Sequence, residues 1–304
     1  MELKINKWAI LIFVLLALIW GTSFILIKKG LVVFSPVQLG SLRIMITFLA
    51  LLPLAMMRMR KIKLRDWLIM AVSGLIGSFF PAYLFSFAQE GINSSTAGIL
   101  NSLTPLFALL IGVVFFKFKA RWWNYLGIII TTLGTYGLLS ISGGNSFDFN
   151  LKYGSYIIIA SLGYGAQVNI IKHYLNHLPS LTIVSLQFLM ISVPAMVVLF
   201  FYTDFMALAS FEPEFLKAML YVSILALIAT ALALVLFYRM VKLVDPVFSS
   251  SVTYFIPAIA SLWGLLDGET LGSAYVLWVS IILFGVFFVN TKAGVFQLLK
   301  KRFS

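Results

Sequence analysis

Hydrophobic positions in this chain come in long runs and do not alternate with polar ones. Apolar stretches fall near 8–28, 37–57, 66–88, 95–116, 123–141, 153–173, 181–202, 217–239, 246–266 and 272–290, with short polar joints between them. A helix needs about 20 apolar residues to cross the ~30 Å hydrocarbon layer of a bilayer. The pattern therefore predicts ten transmembrane helices. It lacks the period-two alternation of an outer-membrane barrel. The first run follows Lys4 and Lys7 in the manner of a signal peptide. It is longer than a signal's apolar region and no A-x-A site follows it, so it reads as a retained span. No joint is long enough for a soluble domain.

Composition agrees. Hydrophobic types make up 62% of the chain and charged types 11%, against about 45–50% and about 25% in soluble proteins. That balance excludes a soluble enzyme, a disordered chain and a nucleic-acid binder, and leaves lipid as the solvent. The net charge of +12 could suggest an anionic partner, but its placement argues otherwise. With the N-terminus inside, 17 Lys/Arg fall in inner segments and 4 (Lys28, Lys29, Lys152, Lys217) in outer ones. That is the asymmetry that sets orientation in an inner or plasma membrane. Both termini are expected in the cytoplasm, and seven of the ten acids fall outside. Cysteine is absent, which removes disulfides, thiolate ligands and a thiol nucleophile. His173 and His177 lie four apart, a spacing open to a metal, and are read as interfacial side chains at a helix end.

The chain repeats itself. Leu84-Phe85 through Thr104-Pro105-Leu106-Phe107-Ala108 lies over Leu236-Phe237 through Ile256-Pro257-Ala258-Ile259-Ala260 at an offset of 152. Asn101 then faces Thr253. Trp20-Gly21 corresponds to Gly163-Tyr164, and Gly134 to Gly285. The expected units are 1–145 (spans 1–5), 150–294 (spans 6–10) and a basic cytoplasmic tail, 295–304. Five is odd, so the second unit starts from the opposite side of the membrane. This gives an all-α integral membrane protein of two five-helix inverted-topology repeats.

Ala17-Leu18-Ile19-Trp20-Gly21-Thr22-Ser23-Phe24, Arg43, Ser95-Thr96-Ala97-Gly98-Ile99-Leu100, Leu103-Thr104-Pro105-Leu106-Phe107, Tyr254-Phe255-Ile256-Pro257 and Gly268-Glu269-Thr270-Leu271 together resemble the drug/metabolite transporter superfamily, EamA type, over nearly the whole chain. The resemblance implies a secondary transporter or exporter of small metabolites, amino acids foremost. One departure is local. Phe116-Lys117-Phe118-Lys119 stands where the family's first half often carries a Gly-Glu pair, so no role is carried over for a first-half glutamate.

Polar groups inside the spans are the candidates for transport chemistry. Arg43 is the one basic residue well within a span, and a charge near a helix centre costs about 2.5–3.5 kcal/mol on insertion scales. It is either a functional cation, with a solute carboxylate or Glu90 as partner, or a side chain snorkelling outward. Span 4 carries small and polar residues at helical spacing, and span 9 repeats them. That face either packs at the repeat axis or borders a path. Pro81 frees a carbonyl in span 3. Span 8 has no proline, so any kink is expected in the first half only. Trp20 and Tyr164 read as cavity walls, and Gln187 as a buried amide in need of a partner. The expected substrate cavity is Arg43, Trp20, Tyr83, Asn101, Tyr164, Gln167 and Thr253.

No Walker A, G-x-G-x-x-G, H-E-x-x-H or G-x-S-x-G motif occurs, so no catalytic residue, cofactor or metal is expected. Glu90, Asp245 and Glu269 sit at span edges, which leaves facilitated diffusion and proton coupling through an edge acid both open. The expected partners are a small-molecule solute and the lipid bilayer. A monomer suffices because both repeats share one chain, and an oligomer is compatible. The rival readings are a membrane-embedded enzyme, which would need a polar catalytic cluster, and a scaffold with no polar cavity.

Overall fold

The computed structural model describes residues 7–119, 121–142, 151–244, 246–268 and 274–290. Helices α1 (Lys7–Gly30), α2 (Pro36–Arg58), α3 (Leu64–Gly74), α4 (Phe80–Ala88), α5 (Ser94–Asn101), α6 (Thr104–Phe116) and α7 (Trp122–Ser142) form the first half. The second half holds α8 (Leu151–Tyr174), α9 (Ser180–Phe201), the short α10 (Phe205–Leu208), α11 (Pro213–Ala226), α12 (Ala233–Leu243), α13 (Pro246–Ser250), α14 (Ile256–Leu266) and α15 (Ala274–Asn290). Among the described residues there is no strand.

Eight helical stretches are long and apolar enough to cross a membrane, counted over the described residues alone. Each is only about half buried. Large apolar side chains such as Val114, Phe115, Leu133, Val193 and Val276 face outward. Water would penalise that surface at roughly 25 cal/mol per Å², and hydrocarbon does not. The chain is a multi-pass membrane protein.

Local chemistry sets the helix ends. Ser35 accepts from the Gln38 N–H at 3.3 Å, while the Ser35 N–H donates to Gln38 Oε1 at 2.9 Å. This reciprocal cap starts α2 together with Pro36 in its first turn. Asn93 Oδ1 caps α5 by accepting from Thr96 N–H at 2.7 Å.

Four of the long apolar stretches are broken within their length, in two matching pairs. Between α3 and α4, Leu75–Phe79 forms a wide turn in which the Phe80 N–H reaches back five residues to the Leu75 carbonyl. Between α11 and α12, Leu227–Leu232 does the same, with the Ala233 N–H on the Ile228 carbonyl. The two turns begin 152 residues apart, as do α5 and α13, and α6 and α14. The kink expected in the first half alone is thus present in both. Pro81 withholds an N–H after the first turn. In the second, the Thr230 hydroxyl donates to the Leu225 carbonyl at 2.9 Å, five residues back. Two different chemistries open the same place.

The halves interlock. Helix α1 packs on α11, α12 and α14 of the second half, α8 packs on α3, α4 and α6 of the first, α2 lies along α9, and α7 along α15. Glycine permits the tightest of these approaches. A Cβ on Gly21 would stand 2.5 Å from Ile259 Cβ, and one on Gly165 would stand 2.7 Å from the Ala108 backbone nitrogen. Ionic contacts group at the two ends of the bundle. Lys28, closing α1, pairs with Asp267 beyond α14 at 2.7 Å, and Lys29 pairs with the same carboxylate. At the far end of α2, Arg58 donates to Thr182 Oγ1 at 2.7 Å, and His177 meets Asp66 at 3.1 Å.

Candidate functional site

A cavity of about 70 Å³ lies between the halves, beside both wide turns. That is room for several waters. Six of the seven residues expected to border a cavity line it: Trp20, Arg43, Asn101, Tyr164, Gln167 and Thr253. Tyr83 does not. Its hydroxyl shares a 2.8 Å hydrogen bond with Ser41, and its ring lies against Gly40. Ala82 and Phe85 carry the cavity face of α4. Tyr83, one residue on from Ala82, is rotated by about 100° around the helix and looks toward α2.

Each polar group in the wall has a traceable role. Trp20 Nε1–H donates to the Ala229 carbonyl at 3.1 Å. Arg43 Nε–H donates to Thr230 Oγ1 at 2.7 Å. The Thr47 hydroxyl shares its one proton between the carbonyls of Arg43 and Ala226, at 2.8 and 3.0 Å. The α11–α12 turn loosens its own hydrogen-bond ladder, and α1 and α2 supply donors in exchange. The first turn is served from the second half. Gln167 Nε2 donates to the Ser73 carbonyl at 2.9 Å and to Ser78 Oγ at 3.2 Å. A buried carbonyl left unpaired costs about 1–3 kcal/mol, so these contacts hold the turns open. Gln187 finds Ser73 Oγ at 2.5 Å and accepts from the Tyr238 hydroxyl at 2.9 Å.

Aromatic rings repeat with the fold. Trp20 meets Phe237 edge-on at 5.0 Å between centroids, and Tyr164 stacks on Phe85 at 5.7 Å. Phe85 and Phe237 are 152 residues apart, so each half places one aromatic residue against its counterpart's partner.

Charge does not repeat. Arg43 lies in the wall with Thr230 on one side and the Tyr164 hydroxyl on the other. Among the described lining residues there is no Asp or Glu. Glu90, weighed as a partner, sits instead in a separate cleft with Lys28 and Gln89 at one end of the bundle. Asn101 Oδ1 accepts from Thr104 Oγ1 at 3.2 Å. Thr253 donates to the Ser250 carbonyl at 2.9 Å. The wall therefore offers a guanidinium, a carboxamide and aromatic faces, a set suited to an anionic oxygen and apolar bulk.

Among the described residues, no three His, Cys, Asp or Glu side chains gather as metal ligands. His173 Nδ1 lies 3.0 Å from the Asn169 carbonyl while His177 turns to Asp66, so the two histidines do not converge. Asp245 and Glu269 lie outside the described residues. Sequence reasoning missed Thr230, Ser78, Phe85 and Phe237 as wall residues. The repeat itself carried the signal: Leu84-Phe85 over Leu236-Phe237 opens the alignment, and Ser78 faces Thr230 at the same offset.

The architecture is a multi-pass membrane bundle of interlocked halves around a small, largely apolar cavity with a few polar groups in its wall. The EamA-like transporter family matches this chain twice, over residues 7–140 and 151–291, and the chain belongs to that family. An inner membrane transporter of Escherichia coli K12, YedA, described as uncharacterized, is 26% identical over 284 residues, covering 90% of this chain and 88% of that one. The Bacillus subtilis transporter YdfC, also described as uncharacterized, is 27% identical over 161 residues, 51% of this chain and about half, 52%, of its own length. A protein of Streptantibioticus cattleyicolor described as a probable terminal-alkyne amino-acid exporter is 24% identical over 147 residues, 48% of each chain. A chain of known crystal structure matches the fold with a TM-score of 0.71 at 17% identity, over 97% of this chain and 98% of that one.

Proposed function

We propose that this protein is a secondary transporter or exporter of small carboxylate-bearing metabolites of the amino-acid class. It works by alternating access, two five-span units rocking about the cavity between them, and performs no catalysis. The ten spans would comprise the eight long apolar stretches together with α7 and α15. Three things support the inverted arrangement. Equivalent rods break at equivalent places. Each half's first helix packs on the other half's broken rods. Lys28 closes α1 at the end where α2 begins, whereas Lys172, its counterpart 144 residues on, closes α8 near Thr182, at the end where Arg58 finishes α2. Equivalent helices thus point opposite ways. The Lys/Arg asymmetry supports both termini in the cytoplasm, and reporter fusions at Arg60 and Ser146 should report opposite sides.

One observation carries the solute class: Arg43 sits in the cavity wall with no described carboxylate lining it. A fixed cation of this kind attracts a carboxylate and binds it through charge-assisted hydrogen bonds. The Streptantibioticus cattleyicolor protein described as a probable terminal-alkyne amino-acid exporter, matched over 48% of each chain, fits that class. The test is flux in proteoliposomes. The wild type should move a carboxylate-bearing solute, and Arg43→Gln should abolish that flux while the protein stays folded and inserted. Normal flux through Arg43→Gln would reject the reading.

A further inference from the structure

The Arg43 guanidinium enters the cavity wall in one fixed direction. Thr230 supplies that direction. Its side chain is buried, within the wide turn Leu227–Leu232. A hydroxyl has one proton, and Thr230 spends it on the Leu225 carbonyl at 2.9 Å. Toward Arg43 its oxygen can then only accept, and it accepts from Nε at 2.7 Å. A guanidinium offers two bidentate faces, one through Nε and one Nη, the other through both Nη groups. Thr230 occupies Nε, the Tyr164 hydroxyl also bonds the guanidinium, and the remaining Nη donors are left for the cavity.

The turn that carries Thr230 is itself anchored. Trp20 donates to the Ala229 carbonyl and Thr47 to the Ala226 carbonyl, from α1 and α2, so the hydroxyl is held at a fixed place relative to Arg43. The first half repeats the device. Ser78 occupies the equivalent position in the turn Leu75–Phe79 and accepts at 3.2 Å from Gln167, a donor of the opposite half that also lines the cavity. An acceptor hydroxyl in a widened turn, facing a cavity donor across the halves, occurs twice.

We infer that Thr230 is a positioning residue for solute selectivity: it presents the remaining Nη donors of Arg43 to the cavity and so sets the preference for a carboxylate over a neutral group. The inference rests on the reading of this cavity as the solute site. Without the hydroxyl, the Leu225 carbonyl loses its donor and Nε–H loses its acceptor. The guanidinium then loses its fixed angle to the cavity, with the Tyr164 hydroxyl still bonded to it.

The experiment uses the purified full-length chain in detergent and lipid. Thermal-shift screening of the twenty standard amino acids selects the strongest stabiliser as the probe, and its amide, in which an uncharged carboxamide replaces the carboxylate, is the comparator. For wild type, Arg43→Gln, Thr230→Ser, Thr230→Val and Thr230→Ala, the ratio of amide Kd to acid Kd is measured. The wild type and Thr230→Ser should both favour the acid by about tenfold or more, the scale of a lost charge-assisted contact. Thr230→Val should fall close to unity, as Arg43→Gln does. If Thr230→Val does not fold, Thr230→Ala carries the comparison. A merely structural role would weaken both ligands together and leave the ratio in place, which overturns the inference, as does a Thr230→Ser variant that fails to rescue. If the wild type itself prefers no acid, or Arg43→Gln keeps the preference, the underlying reading fails and the inference with it. If Arg43→Gln loses the preference and Thr230→Val keeps it, the inference alone fails.

Discussion

Ser78 and Thr230 occupy the same position in two copies of one broken helix, and each accepts a hydrogen bond from the opposite half. Ser78 receives an amide, from Gln167; Thr230 receives a guanidinium, from Arg43. One turn stands next to a proline and the other does not. Backbone shape has been kept across the repeat while the chemistry producing it has diverged. The shape is what both halves need if they exchange roles around a shared cavity. The cation is needed once, because a second fixed charge in so small a space would repel the first. At about 4 Å and an effective dielectric near 20, that repulsion is of order 4 kcal/mol. The halves are therefore equivalent as scaffold and unequal as site.

The strongest way to break the comparison is to attack what both halves share. Gly165 and Gly21 mark the close approach of α8 to α6 and of α1 to α14. At Gly165 an added Cβ meets backbone, which cannot move aside. At Gly21 it meets a side chain that can shift only by moving its helix. Gly165→Ala should lose roughly 1–3 kcal/mol of stability or fail to insert, in line with other overpacked cores, and Gly21→Ala should lose less. Unfolding monitored in detergent checks this. Equal losses would mean that the two approaches are not governed by what stands opposite the glycine.

Much of this architecture was legible in the sequence because lipid imposes a simple rule. Every span must be apolar and near one length, so runs of hydrophobic residues and basic joints outline the bundle. The two-copy pattern was legible because Leu84-Phe85, Asn101 and Pro105 recur in kind or position at a fixed offset. The breaks in the rods were not. A widened turn needs no proline, and Thr230 looks like any polar residue until the Leu225 carbonyl is seen beside it. Tyr83 was misplaced for a related reason. In an apolar span, a polar residue one step off the cavity face is indistinguishable by composition from one on it, and only the neighbour at Ser41 decides.

A smaller effect should separate the two donors that cross the halves. Trp20→Phe keeps the ring against Phe237 and removes the N–H from the Ala229 carbonyl. The loss should be about 1 kcal/mol, the net value of one hydrogen bond in a protein. Gln167→Leu strips the Ser73 carbonyl and Ser78 together and should cost more. If the first half's turn tolerates the loss better than the second's, Pro81 is what holds it open, and the two halves differ in mechanism as well as in chemistry.

The smallest effect lies at the bundle ends, where the equivalent lysines part company. Lys172 Nζ caps three backbone carbonyls, those of Val241, Lys242 and Val244, at 3.0, 3.1 and 2.7 Å. Lys28, with Lys29, holds the Asp267 carboxylate. Those two lysines keep the Asp267 carboxyl below its ordinary range. A carboxylate whose folded value is depressed contributes stability above its unfolded value of about 3.9, and that stability is lost as pH falls through the folded value. The backbone carbonyls at Lys172 do not titrate. Acidifying from about pH 5 to pH 3 should therefore loosen the α1–α14 end, read as a loss of hydrogen-exchange protection around Leu265 and Leu266 that exceeds any loss around Val241. The change should be small and should shrink in ~1 M salt, where the screening length falls to about 3 Å. Asp267→Asn should show the loosened state at every pH and remove the acid response. If both ends lose protection equally on acidification, or if the acid response survives Asp267→Asn, the two lysines are not distinguished by what they hold.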